Sequence, residues 1–150
     1  MAEMAMAGSA AAPAAGTVLN ALATGTGSAF AIDRYTTARV RLSPDSAADD
    51  VGEGTDPDRR VTGTVADAPE ADTRLIERCV ERVVDRFGEG EGGSVHTESE
   101  VPMAAGLKSS SAAANATVLA TLDAVDAADA VSREEAARIG VAAARDVGVT

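Results

Sequence analysis

Pro102 to Ala112, reading PMAAGLKSSSA, is the stretch on which the interpretation of this 150-residue chain turns. It stands between a segment that reads as a strand, Ser94 to Val101 (SVHTESEV), and one that reads as a helix from about Ser111 to Ala124. Pro102 fixes the exit from the strand, because its ring locks φ. Ala104, Ala105 and Gly106 carry little or no side chain, so a ligand can approach the backbone there. Ser109, Ser110 and Ser111 put hydroxyls at a helix start, where the first N–H groups have no intrahelical partner and the dipole is positive. Such a start is suited to phosphate. Lys108, the only lysine of the chain, adds a mobile positive charge. The segment is not a Walker A loop: Leu107 separates Gly106 from Lys108, and Val101 stands where that pattern needs its first glycine. The plain alternative is a Ser-capped helix after a Pro-bounded loop.

Working outward, the helix after the loop has Val118, Leu119, Leu122 and Val125 as its heavier apolar residues. Its early turns are alanine, which lets another backbone come close. A last helix starts at Ser132, where Ser132 and Glu135 read as a capping box, and stops near Gly148. Upstream, Thr73 to Phe87 is the clearest helix. Leu75, Ile76, Cys79, Val80, Val83, Val84 and Phe87 share one face, and Arg74–Glu77, Arg78–Glu81 and Arg82–Asp85 form i,i+3 pairs on the other. Asp72 reads as its N-cap and Gly88 as its end. Glu89 to Gly93 reads as a flexible acidic turn, whose carboxylates repel phosphate.

Val61 to Val65 is a short strand, and Ala29 to Leu42 alternates with Val40 and Leu42 on one side and Arg39 and Arg41 on the other. Between them, the acidic Pro- and Gly-rich stretch 43–60 reads as an enlarged hairpin loop. Thr17 to Leu22 is a strand, Thr24 to Ser28 a Gly-rich turn, and Met1 to Pro13 a ragged start with later in-frame methionines at Met4 and Met6. The order of elements indicates a mixed α/β layer structure.

Composition narrows the function. Apolar residues make up 45%, as in globular domains, but aromatics only 2%, so the core must be Val, Leu, Ile and Ala. The net charge of −11 argues against a nucleic-acid partner, which needs clustered Lys and Arg, and against an anionic membrane surface. Acid excess with lysine nearly absent points to a protein kept soluble in concentrated salt, a halophile's cytoplasmic protein, although a GC-rich genome favouring Ala, Arg and Gly has the same signature. Stability is therefore expected to depend on KCl, and a thermal melt indifferent to KCl would contradict this. One cysteine, Cys79, allows no internal disulfide. No run of about 18 apolar residues exists to span a membrane, and the Ala-rich start lacks the positive region of a secretory signal.

The Pro102–Ala112 segment resembles the phosphate loop of the GHMP kinases (galactokinase, homoserine kinase, mevalonate kinase and relatives), Pro-x-x-x-Gly-Leu-x-Ser-Ser-Ala. The chain matches at Pro102, Gly106, Leu107, Ser109 and Ser110, with Ser111 before Ala112. Most of those families have Gly where Lys108 stands. GLKSSSA with Asn115 downstream is similar to the archaeal shikimate kinase branch, as is Gly16 to Asp33 (GTVLNALATGTGSAFAID) to that branch's first motif. The similarity covers most of the chain apart from the acidic insertion.

The resemblance implies an α/β fold of the ribosomal protein S5 domain 2-like type, with residues 1–150 as the N-terminal ATP-binding domain. It implies ATP and Mg²⁺ as cofactors and phosphorylation of shikimate to shikimate 3-phosphate, a step of chorismate and aromatic amino-acid biosynthesis. The backbone from Pro102 through Met103, Ala104, Ala105, Gly106, Leu107, Lys108, Ser109, Ser110 and Ser111 to Ala112 would wrap the ATP phosphates. Ser109 would be the Mg²⁺ ligand, with Ser110 nearby, and Lys108 would neutralise charge on the phosphoryl group in transfer. Asn20, Thr26, Ser28 and Asp33 would be substrate or nucleotide contacts. The branch carries an acidic catalytic residue just beyond a helix like Ser132 to Asp146, then a ferredoxin-like second domain. This chain ends at Thr150 before either, which predicts a fragment of a longer enzyme.

The remaining residues favour bland roles. Gly25 and Gly27 are not a dinucleotide fingerprint, because Phe30 holds the third glycine position. Asp33 reads equally as a solvated strand-end carboxylate. Cys79 on an apolar helix face is core. His96 has no His or Cys companion for zinc, and no Ser or Cys has a partner base for a hydrolase triad. Glu98 and Ser99 read as a strand edge, with a supporting role near the loop as the alternative. Two rival functions stand: another GHMP kinase, acting on homoserine, mevalonate or a sugar, and a non-catalytic nucleotide-binding fragment. Lys108 and the serine triplet weigh against the first, and a missing catalytic acid would favour the second.

Overall fold

The computed structural model describes residues 6–19, 28–43, 61–68, 70–100 and 109–148. Four strands, β1 (Met6–Leu19), β2 (Ser28–Ser43), β3 (Val61–Val65) and β4 (Gly92–Ser99), form one sheet in the order β1-β2-β4-β3. Three helices, α1 (Arg74–Phe87), α2 (Ser109–Ala124) and α3 (Arg133–Asp146), follow in chain order, with a short 3₁₀ turn at Ala128–Ala130. β2 pairs antiparallel with both β1 and β4, and β3 pairs parallel with β4. β3, α1 and β4 therefore make a βαβ unit, the arrangement that a parallel pair requires.

Two corrections to the sequence reading follow from this topology. β2 and β3 are separated by β4, so stretch 43–60 joins strands that do not pair and is no hairpin; residues 44–60 themselves lie outside the described residues. Of the supposed ragged start, Met6 to Pro13 is the first half of β1, with Met6 opposite Leu42 and Ala12 opposite Thr36, while residues 1–5 lie outside the described residues. Alanine and glycine give no alternation to read, yet small side chains are what this strand requires. A Cβ on Gly8 would run into the carbonyl oxygen of Ala120 and stand 2.6 Å from the Ala124 nitrogen, because α2 lies directly on β1. The Asp123 carboxylate accepts the Ser9 N–H at 3.4 Å, covering part of the β1 edge. The register shifts between Pro13 and Ala15, where proline has no N–H to give to the ladder.

β2 alternates as expected: Thr36, Ala38, Val40 and Leu42 are buried, and Tyr35, Arg39 and Arg41 are exposed. With Val61 and Val95, Ala38, Val40 and Leu42 pack on Ile76, Val80 and Val84 of α1 and Ala116, Ala120 and Ala124 of α2. A second cluster joins the helices through Leu75, Cys79, Val83, Val118, Leu122 and Ile139. Val80, Val83 and Val84 are wholly buried. Each contributes roughly 1.5–3 kcal/mol, which outweighs the at most about 0.7 kcal/mol that such a residue costs a helix. Burial pushes the Cys79 thiol up to about 12, so it is inert core, as its position on the apolar face predicts.

Helix ends and charges differ from the reading in detail. Thr73, not Asp72, is the N-cap residue of α1 and makes no side-chain cap bond; Asp72 Oδ1 nevertheless accepts the Arg74 N–H at 3.0 Å. The hydrogen bond from the Arg74 side chain holds the Asp72 carboxyl down at about 2. Ser132 caps α3 by accepting the Glu135 N–H at 3.1 Å, whereas the Glu135 carboxylate reaches across to Arg86 at 2.7 Å. Glu77 is buried rather than on the wet side: its Oε2 accepts the Gly63 N–H at 2.9 Å and the Thr73 hydroxyl at 2.7 Å, tying β3 to α1. Glu89 to Gly93 is not simply a turn, because Gly92 and Gly93 begin β4 and Glu91 is buried, accepting the Glu89 N–H at 2.7 Å.

Of the expected intrahelical pairs, Arg78–Glu81 forms at 3.2 Å. Arg78 and Arg82 also converge on Asp146 of α3 at 2.7 and 2.6 Å. Hydrogen bonds from Arg82 and then Arg78 hold the Asp146 carboxyl well below the usual carboxylate range. A lowered folded pKa stabilises the fold above the unfolded value of about 3.9 and loses that stabilisation as pH falls toward the folded value. Asp146→Asn is therefore expected to melt below wild type at pH 7, with the gap closing as pH falls below about 4. Melting curves at pH 7 and pH 3 check this, and an unchanged gap would contradict it.

Candidate functional site

β4 ends at Ser99, opposite Thr36 of β2, whereas β2 begins eight residues earlier at Ser28. From Ser28 to Tyr35 it runs past the end of β4 with β1 alongside: Ala15 faces Ala31, Gly16 faces Phe30, Thr17 faces Ala29 and Leu19 faces Ser28. This two-stranded arm and the segment leading from β4 to α2 consequently leave the sheet at the same end. That end is also the carboxyl end of the parallel pair β3 and β4, where open α/β sheets characteristically take their ligands.

In sequence, the candidate phosphate residues run from just after β4 into the start of α2. Pro102, Met103, Ala104, Ala105, Gly106, Leu107 and Lys108 lie outside the described residues. Ser109 and Ser110 are the first two residues of α2, two positions earlier than the helix was expected to start, and their backbones alone are described. Ser111 is exposed in the first turn and Ala112 is buried at 2% exposure, so the helix start has a wet side and a core side. No acidic residue stands in that first turn, which leaves the dipole's positive end unopposed. α2 is itself anchored over most of its surface, with Ala116, Thr117, Val118, Ala120, Thr121 and Leu122 all buried. Gly140 of α3 lies against Asn115, Ala114 and Val118.

Of the first-motif candidates, Asn20 and Thr26 lie outside the described residues. Ser28 opens β2 opposite Leu19, and Asp33 is exposed further along the same arm. The topology thus brings Ser28, Asp33 and the Ser109–Ser111 turn to one end of the sheet. Among the described residues no three His, Cys, Asp or Glu side chains gather as a metal site. A magnesium ion here would be held by nucleotide phosphates and a hydroxyl such as that of Ser109, a donor set that suits Mg²⁺.

Glu98 and Ser99, expected at a strand edge, are instead the last two residues of β4, an interior strand between β2 and β3. Glu98 pairs with Arg39 at 2.7 Å, and Ser99 accepts the Thr36 hydroxyl at 3.1 Å. His96 shares a hydrogen bond with Thr64 at 2.7 Å. Sequence reasoning passed over Glu100 and Tyr35, which bond to each other across the end of the ladder. Nothing in the run Glu98-Ser99-Glu100-Val101 announces such a contact.

The model of the GHMP kinases N terminal domain matches residues 74–150, from the first turn of α1 onward, and so spans β4, the phosphate segment and α2. The chain belongs to the GHMP kinase family. The mixed α/β domain expected from the resemblance is the one found. The chain is 63% identical over 145 residues to a shikimate kinase of Halobacterium salinarum, covering 97% of this chain and 47% of that protein. A shikimate kinase of Methanosarcina mazei is 50% identical over 147 residues, 98% of this chain and 45% of the relative. The chain thus spans about half the length of the curated relatives it matches. Among solved structures, mevalonate diphosphate decarboxylase from Enterococcus faecalis shares the fold with a TM-score of 0.68 at 18% identity, over 93% of this chain and 44% of that one. Among the described residues no helix is long and apolar enough to cross a membrane.

Proposed function

We propose that this chain is the nucleotide-binding part, residues 1–150, of a cytoplasmic shikimate kinase that uses Mg²⁺-bound ATP. The observation that carries the reading is the 63% identity to a shikimate kinase over 97% of the chain, with the phosphate segment included. In the proposed reaction the 3-hydroxyl oxygen of shikimate attacks the γ-phosphorus. The bond from that phosphorus to the bridging oxygen breaks, ADP leaves, and the hydroxyl proton passes to a base. The chain's own contribution is electrostatic and positional, as phosphoryl transfer requires. Backbone N–H groups at the start of α2 and in 102–108 would cradle the phosphates. Lys108 would meet charge gathering on the γ-phosphoryl oxygens, and the hydroxyl of Ser109, with Ser110 beside it, would help to hold the metal. Magnesium, if held there by the Ser109 hydroxyl, would supply neutralisation of phosphate charge. Ser28 and Asp33 on the arm, together with Asn20 and Thr26, would be contacts to the acceptor or the nucleotide.

The test is product identity. Full-length gene product in concentrated KCl with Mg-ATP and shikimate is expected to give one new phosphomonoester signal by ³¹P NMR, coupled to the proton on carbon 3, in equal amount to ADP. A phosphate on another carbon, or ADP without a phosphomonoester, would overturn the reading.

A further inference from the structure

We propose that Glu100 is a positioning residue, latching the β1–β2 arm to the start of the 101–108 segment and so setting the separation of the acceptor and nucleotide sides of the site. The inference rests on the functional reading above. The ladder between β2 and β4 ends at Thr36 and Ser99. One residue further on, the Glu100 N–H donates to the Tyr35 carbonyl oxygen at 2.9 Å. The Glu100 Oε1 in turn accepts the Tyr35 N–H at 2.8 Å. A single residue thus takes both backbone groups of Tyr35, at the point where β2 leaves β4 and the arm begins. The Thr36 hydroxyl on Ser99, at 3.1 Å, secures the preceding pair.

An exposed glutamate ordinarily spends its carboxylate on water or a passing arginine. Here the carboxylate fixes main chain, and charged acceptors make the stronger hydrogen bonds to N–H groups. The two elements it joins are the ones that matter to transfer. Asp33 stands two residues before Tyr35, on the same side of the strand by its period of two. Val101 and the phosphate segment follow Glu100 directly. Neither apolar cluster includes Glu100, so its removal leaves the core packing intact and changes chiefly where the arm sits. Displacement of a reacting group by 1 Å can cost about 10²-fold in rate.

The full-length gene product carries the test, with three variants assayed in concentrated KCl with Mg-ATP and shikimate. Glu100→Ala is expected to lower kcat by about ten- to a hundredfold, with the KM for ATP and the melting temperature nearly unmoved. Glu100→Gln, whose amide oxygen can accept the same N–H, is expected to recover most of that kcat. Glu98→Ala, which removes an exposed pair with Arg39, is expected to turn over like wild type. An active wild type with an equally active Glu100→Ala sinks the latch alone, as does a glutamine variant no better than alanine. A wild type active only on another acceptor sinks the shikimate assignment, and the same kcat ratios then decide the latch on that acceptor. A wild type that phosphorylates none of them overturns both.

Discussion

Lys108→Ala is expected to reduce turnover of Mg-ATP and shikimate by about 10²–10³-fold, the loss seen when one preorganised stabiliser of transition-state charge is removed, while the melting temperature stays near that of wild type. The chain carries a net charge of −11 and no other lysine, so no neighbouring ammonium can take over. In the sequence Lys108 immediately precedes Ser109, the first residue of α2. Folding has little stake in it, because the anchoring of α2 is supplied by buried residues from Ala112 onward. Steady-state kinetics beside a thermal melt separate the two effects. Turnover unchanged in the variant would remove Lys108 from the site.

Gly8→Val is expected to cost about 3 kcal/mol or more of stability, at the upper end of what overpacking does. The atoms that a side chain at Gly8 would strike are helix backbone, the Ala120 carbonyl oxygen and the Ala124 nitrogen, with the Asp123 Cβ at 3.0 Å. Backbone in a helix cannot swing aside, so α2 would have to lift from β1 and open the cluster around Ala116 and Ala120. Moving α2 also moves the Ser109 end of the same helix, so activity is expected to fall with stability. Ala11→Val, at an exposed position of the same strand, is the control and is expected to be nearly neutral. Melting curves in concentrated KCl check the pair, and a Gly8 variant melting with wild type would contradict the packing described.

These two residues mark what the sequence made legible and what it did not. The strongly patterned elements could be read directly: α1 with its single apolar face, β2 with its alternation, and α3 with Ser132 at its start. The segment between β4 and α2 stood out because its residue types are chemically unusual together, and residues 101–108 lie outside the described residues. β1 was not legible, because Ala and Gly report the closeness of a neighbouring helix rather than a local period, and that neighbour lies 112 residues away at Ala120. The exchange of a supposed hairpin for a strand inserted between β2 and β3 is invisible for the same reason, since pairing order is decided by the whole sheet. Charges carried more than their own helix showed. Arg82 and Glu135, read within their own helices, also bond across to α3 and α1. Glu100 gave no signal at all, because its role lies in a backbone contact to Tyr35, 65 residues distant.

The central claim is that this loop and arm serve phosphoryl transfer to shikimate, and its most direct test is ADP release from Mg-ATP by the full-length gene product in concentrated KCl. Shikimate, homoserine and mevalonate are offered separately. Release with shikimate alone is the predicted result. Release with homoserine or mevalonate but not shikimate would contradict the assignment of the acceptor, and ATP bound without release to any of the three would contradict the claim of catalysis.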